Sequence, residues 1–148
     1  MCFLLFQLPP PDRNYALIKG QMFTYKARKE NGKIKWIARH STNELIEEDT
    51  KGLKIKEAGH YFLNLQVTQK TCNRTRGPEL TVSIKYNDRK LLLGKINRQT
   101  CSTGLLAKVE ALARGAILEI TEIASEDIDD SEALTHLDII MLQPRAMA

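Results

Sequence analysis

Gly52-Leu-Lys-Ile-Lys-Glu-Ala-Gly-His-Tyr-Phe-Leu-Asn-Leu-Gln-Val-Thr68 decides the fold. Leu53 and Ile55 alternate with Lys54 and Lys56, and Tyr61, Leu63, Leu65 and Val67 alternate with Phe62, Asn64 and Gln66. That is the period-two pattern of strands with one buried face. Ala58-Gly59 punctuates the two runs, so the stretch reads as a strand, a tight turn and a second, more apolar strand: a hairpin of an all-β domain.

The flanking sequence extends the same reading. Upstream, Asn14–Gly20 is a short apolar run that suits a buried strand. Gln21–Arg28 (Phe23, Tyr25, Ala27) and Lys33–Arg39 (Ile34, Trp36, Ala38) alternate around Asn31-Gly32, a strong hairpin signal. Leu45-Ile46 supports a short edge strand. Downstream, Lys70–Pro78 reads as loop. Glu79–Tyr86 alternates, Asn87-Asp88 turns the chain, and Lys90–Ile96 returns as a second hairpin. Leu105–Arg114 is rich in helix formers, with Leu105, Val109 and Leu112 at helical spacing, so its local preference is a helix. Ala116–Ile123 alternates again. Thr135–Gln143 ends in Ile139-Ile-Met-Leu142, a continuous apolar run that suits a strand buried on both faces. Many short strands separated by turn signals indicate a sandwich or jelly roll.

With 148 residues, 43% of them hydrophobic, the chain is long enough for one domain with a substantial core. We divide it into an N-terminal stalk or tail (1–13), one domain (14–143) and a C-terminal tail (144–148). The net charge of +4 is small, but its distribution is uneven. Between Gly115 and Pro144 stand Glu119, Glu122, Glu126, Asp127, Asp129, Asp130, Glu132 and Asp138, with no Lys or Arg. The segment Ser125–Glu132 is either a solvated acidic loop or a surface that meets a partner of opposite charge. The apolar start, Met1–Leu8, falls well short of the ~20 residues that cross a bilayer. It lacks the features of a secretory signal, and Pro9–Pro11 suits an extended stalk.

Cys72 and Cys101 flank the strand pair 79–96, and loops at the two ends of a hairpin can meet at one pole of a sandwich. If they pair, the closed loop would contribute about 3 kcal/mol; otherwise they are free thiols. Asn73-Arg-Thr75 is a glycosylation acceptor. Together with the Pro-rich lead, these features favour an extracellular domain. Cys2 is left over.

Little in the sequence speaks for catalysis. His40, His60 and His136 are scattered, no metal-ligand spacing occurs, and no Gly-rich loop follows a strand. The chain reads as a non-enzyme without cofactor. Glu126-Asp-Ile-Asp-Asp130 lacks the glycine and closing glutamate of a calcium loop. The bases are not interleaved with aromatics, so a nucleic-acid partner has nothing specific to support it.

From Asn14 to Leu142 the chain resembles the tumour necrosis factor (TNF) ligand superfamily. Gly52–Val67 is similar to the family's central hairpin, Asn14–Gly20 to its opening inner strand and Lys33–Ile37 to its strand with an inward Trp. Leu112–Leu118 resembles its L-x-x-G-D-x-L turn, and Leu137–Leu142 its closing F-G-I-I-x-L strand. Cys72 and Cys101 fall in two loops that several members join by a disulfide. The resemblance implies a ten-stranded jelly roll, with Leu105–Arg114 as a strand against its local preference. It implies a homotrimer whose interface holds Phe62, Asn64, Gln66, Leu105 and His136; Asn64, Leu105 and His136 stand where many members carry aromatics, which leaves a dimer open. It implies binding of a cysteine-rich, TNF-receptor-type cell-surface receptor through Tyr86, Asn87, Asp88 and Arg89. Tyr86 would be an exposed anchor dispensable for folding, and Lys26–Glu30 and Ser125–Glu132 would make flanking contacts. It also implies an extracellular chain with no span of its own, the ectodomain of a type II membrane protein or its shed form. The alternative is a secreted jelly-roll module, lectin-like or a collagen-linked globular head, that recognises glycan or matrix.

Overall fold

The computed structural model describes residues 22–39, 45–72, 80–121 and 127–144. Ten strands run through them: β1 Met22–Glu30, β2 Lys33–Ala38, β3 Ile46–Glu48, β4 Leu53–Ile55, β5 Gly59–Gln66, β6 Thr81–Tyr86, β7 Arg89–Lys95, β8 Leu106–Leu112, β9 Ile117–Thr121 and β10 His136–Pro144. Two five-stranded antiparallel sheets result, β2-β1-β10-β5-β8 (sheet A) and β3-β4-β9-β6-β7 (sheet B). The tail 1–13, the strand expected at Asn14–Gly20 and the acceptor Asn73 lie outside the described residues. Met22–Glu30 is the strand that pairs with the closing strand β10.

The alternation assigned to each strand places its buried side. Tyr61, Leu63, Leu65 and Val67 from β5 and its extension meet Leu137, Ile139 and Met141 from β10, Tyr25 and Trp36 from the β1–β2 hairpin, and Leu53, Ile55, Ile84 and Leu118 from sheet B. Leu63, Leu65, Ile55, Leu118, Leu137 and Ile139 are completely buried, each such side chain contributing about 1.5–3 kcal/mol. Tyr61 reaches the same core while its hydroxyl donates to the Glu57 carbonyl at 2.5 Å. Burial, with a smaller contribution from the Glu57 carboxylate, pushes its phenol up to about 12.

The structure corrects the central hairpin. Leu53–Ile55 and Gly59–Gln66 do not pair: β4 lies in sheet B between β3 and β9, and β5 lies in sheet A between β10 and β8. Lys56-Glu57-Ala58 carries the chain from one sheet to the other. Both strands bury an alternating face in the same core, so period two cannot distinguish a hairpin from a corner. Gly52 is required just before β4, where it lies against β9, because a β-carbon there would run into the backbone carbonyl of Leu118.

The other turns follow the expected chemistry. Asn31 and Gly32 both have positive φ, 50° and 75°, as do Asn87 and Asp88, at 48° and 65°, which is the twist that two-residue hairpin loops need. Leu106–Leu112 is a strand, not the helix its composition favours, because pairing along β5 from Gly59↔Leu112 to Leu65↔Leu106 outweighs a local preference of tenths of a kcal/mol.

Candidate functional site

Sheet A has a second face that sheet B does not cover. Register fixes what lies on it. Met22 pairs with Ile140, Ile140 with Phe62 and Phe62 with Val109, so four apolar side chains form one row across β1, β10, β5 and β8. Met22 and Val109 are 55% and 50% exposed, and Ile140 and Phe62 are half-buried. The next row is Thr24, Asp138, Asn64 and Ala107, and the one after it Lys26, His136 and Gln66. Leu105, 64% exposed, directly precedes β8 at the level of Gln66. Phe62, Asn64, Gln66 and His136 therefore share this face, and Leu105 stands at its margin.

The middle of the face is polar and internally bonded. Asp138 accepts from the Thr24 hydroxyl at 2.9 Å and from the Asn64 amide at 3.3 Å. His136 Nε2 stands 3.8 Å from the same carboxylate, and its Nδ1 is 2.9 Å from the Glu132 carbonyl. Gln66 donates to the Leu134 carbonyl at 3.0 Å. Asn64 Oδ1 is buried with no partner among the described residues, and turning the amide over would set that oxygen against the Asp138 carboxylate. The face is thus an apolar row beside a band of fixed polar groups.

The β6–β7 turn sits at the opposite edge of the sandwich from β2 and β3. Asn87, Asp88 and Arg89 are exposed, as expected, but Tyr86 is not a free ring at a hairpin tip. It is half-buried, packed against the core, and its hydroxyl accepts from the Ala113 amide at 3.3 Å. Arg89 reaches across to Glu110 of β8 at 3.3 Å, and Leu106 of β8 covers Gly94 of β7, so the two sheets close against each other here. One side of the Tyr86 ring remains open in a shallow groove of about 330 Å³ lined by His60, Ala111, Leu112 and Ala113. The expectation that truncating Tyr86 would leave folding untouched is corrected, because the ring does packing work that the local sequence does not show.

No family model matches the sequence and no curated protein is recognisably similar to it. Solved structures are. Bushbaby GITRL superposes with a TM-score of 0.61 at 15% identity, covering 88% of this chain and all of that one. Murine APRIL at pH 8.0 gives 0.61 at 16% identity over 84% of this chain and all of that one. Rabbit GITRL gives 0.57 at 16% over 81% and 93%. The fold is that of the TNF-superfamily ligands.

In this TNF-ligand fold Cys72 and Cys101 are joined, their Cα atoms 5.5 Å apart and 29 residues apart in sequence. The bond ties together one pole of the sandwich. There the Gln69 amide donates to the Cys101 carbonyl, Asp129 to Thr68 and Lys70 to Asp127. The described part of the acidic loop is thereby anchored, and it is partly neutralised within the chain. Glu132 pairs with Arg39. Asp129 and Asp130 act on Lys29, whose ammonium is held below its ordinary pKa chiefly by neighbouring Lys70, then by desolvation, with the two carboxylates opposing. No group of three ligating side chains that could hold a metal occurs among the described residues, and no described helix is long and apolar enough to cross a membrane. A cleft of about 440 Å³ opens beside Trp36 at the β2–β3 edge, remote from the β6–β7 turn.

Sequence reasoning missed Met22, Val109 and Ile140 on the open face, and Thr24 and Asp138 in its polar band. One signal was present. The run Ile139-Ile-Met-Leu142 is apolar on both faces, yet only Ile139 and Met141 enter the core. The other parity places Ile140, half-buried, on the face of sheet A that sheet B does not cover.

Proposed function

We propose that the protein is a TNF-superfamily cytokine ligand, a non-enzyme that assembles as a homotrimer through the open face of sheet A and triggers immune or co-stimulatory signalling. One observation carries the assembly: Met22, Ile140, Phe62 and Val109 form an apolar row, in register, on a sheet face that nothing in the described chain covers. Such a row is stable in water when another surface buries it, and a closed symmetric oligomer is the commonest cover. Phe62, Asn64, Gln66, Leu105 and His136 form its interface together with the row. The polar band fixes the register of neighbouring copies, since buried polar groups penalise misaligned packing.

Receptor binding follows in the grooves between neighbours. The turn Tyr86–Arg89 is the contact we assign, with the open side of the Tyr86 ring in its groove as anchor and Asn87, Asp88 and Arg89 as the rim. The partner is a cysteine-rich receptor of the TNF-receptor type. A disulfide at the pole and this fold support an extracellular ectodomain.

Light scattering on the purified domain at tens of micromolar is expected to give three times the protomer mass; a monomer mass refutes the assembly. Surface-plasmon kinetics against TNF-receptor-type ectodomains tests the rest. Tyr86→Ala is expected to weaken binding by about thirtyfold, equivalent to ~2 kcal/mol, whereas Tyr86→Phe retains most of the affinity. Parent protein that is trimeric yet binds no such ectodomain points instead to a glycan- or matrix-binding jelly roll.

A further inference from the structure

The two sides of the sandwich differ. At β7–β8 the sheets close, with Leu106 over Gly94 and Arg89 on Glu110. At β2–β3 they part, and the cleft of about 440 Å³ lies between them, with Ile34, Trp36, Leu53 and Ile120 as its apolar lining. On that side β2 is the edge strand of sheet A. Its register with β1 is unbroken from Tyr25↔Ala38 to Glu30↔Lys33, and beyond it the Arg39 amide donates to the Thr24 carbonyl. Hydrogen-bonded and non-bonded positions alternate along an antiparallel pair. Lys33, Lys35, Ile37 and Arg39 therefore turn their peptide groups to β1, whereas Ile34, Trp36 and Ala38 turn theirs to the open edge. The Ala38 amide does so visibly: it donates to the Glu48 carboxylate at 3.1 Å, which stands where the carbonyl of a further strand would. The peptide groups of Ile34 and Trp36 meet no such acceptor or donor among the described residues. The Trp36 indole nitrogen is also buried without a partner there.

We propose that this edge takes up an extended segment of a partner protein as a further antiparallel strand of sheet A, with alternate apolar side chains seated in the cleft. Unpaired edge groups are a template for such pairing, and the main-chain bonds supply affinity while side-chain pockets supply specificity. Register dictates the motif. A residue bonded to Trp36 and the residue two further on, bonded to Ile34, lie on the inward face with those partners, so both enter the cleft. The residue between them points outward beside the exposed Lys35, which stands opposite Arg28. Two like charges at that level favour an acidic side chain. The segment is therefore apolar, acidic, apolar, and Glu48 ends the site at Ala38. A helix cannot bond both peptide groups and fill the cleft together. A second copy of this chain offering its own β2 cannot do so either, because the inward side chains of that strand, Ile34 and Trp36, are already buried in its own core. With β1 and β10 between β2 and the strand of Phe62, the site is independent of the assembly and receptor assignments.

The test is titration of the intact chain with the end-capped peptide Ser-Thr-Val-Glu-Val-Thr-Ser, read by the fluorescence and the indole N–H resonance of Trp36, the chain's one tryptophan. Saturable binding with a dissociation constant on the order of 100 μM is expected, with the Ile34 and Trp36 amide resonances moving most. N-methylation of either valine, whose amide faces β2, is expected to weaken binding about tenfold, and N-methylation of the glutamate, whose amide faces away, to change it by less than about twofold. Lys35→Glu is expected to bind the peptide about threefold more weakly and to regain that loss with lysine in place of the peptide's glutamate. The readout belongs to the chain alone, so it stands whether or not a TNF-receptor-type ectodomain binds. Absence of saturable binding overturns the site, and equal loss on N-methylation at all three positions overturns strand addition. Lys35→Glu binding both peptides like the parent overturns the motif. A change of mass in light scattering on saturation overturns the placement of the site outside the assembly.

Discussion

The two faces of sheet A use the same strands and nearly the same residue types, yet they are in different situations. Leu63, Leu65, Leu137 and Ile139 point to sheet B and are wholly buried within one chain. Phe62 and Ile140, their immediate neighbours in sequence, point the other way and remain half-buried, flanked by the exposed Met22 and Val109. The inner face is closed by the chain's own second sheet and is apolar apart from a few aromatic polar atoms, such as the Tyr61 hydroxyl bonded to the Glu57 carbonyl. The outer face has an apolar row beside the bonded set Thr24, Asn64, Asp138 and His136. A fold needs its inner face to be dry and tightly packed; an interface between copies needs both an apolar area and a means of fixing alignment. The difference separates residues that hold the chain's own fold from those that we propose meet the next copy.

Substitutions on the two faces should therefore fail in different ways. The largest effect is expected on the inner face, where Ile139→Ala should cost about 2–5 kcal/mol of folding stability, seen as a lower denaturant midpoint for the whole chain. Phe62→Asp, one residue from Leu63 but on the other face, should leave circular dichroism and the disulfide unchanged while dispersing the assembly to monomers in light scattering. Three carboxylates brought together in a closed interface cost several kcal/mol to desolvate. If Phe62→Asp unfolds the chain instead, the outer face belongs to the protomer and the contrast fails.

Tyr61 sharpens the comparison through pH. Its phenol keeps its proton to about 12 in the folded chain, above the ordinary 10.0. The neutral form is the one favoured by folding, so this contribution is complete below about pH 10 and is lost as pH rises through about 12. Stability measured by urea titration should fall across that window in the parent, and less so in Tyr61→Phe. The smallest effect is expected at the rim of the outer face. Val109→Ser should weaken association by about 1 kcal/mol, in keeping with loss of a partly covered apolar side chain, and should leave the melting temperature of a dilute, dissociated sample within a degree or two.

Period two, with Gly, Asn and Asp at the breaks, was enough by itself to determine that the chain is all-β and which side chains form its core. Tyr25, Trp36, Tyr61, Leu63, Leu65, Val82, Ile84 and Leu118 are buried as their alternation requires, because a strand has only two faces and water selects between them. The asymmetry at Phe62, Asn64 and Gln66 was legible for the same reason. Three matters were decided only by tertiary structure. Leu53–Ile55 and Gly59–Gln66 occupy different sheets, since alternation records burial but not the partner. Leu106–Leu112 is a strand because backbone pairing with β5 outweighs a weak helical preference. Tyr86 packs against the core and receives the Ala113 amide, a contact between residues 27 apart in sequence that no local pattern encodes. Local sequence sets what each segment must hide from water; the remainder of the chain sets where it can be hidden.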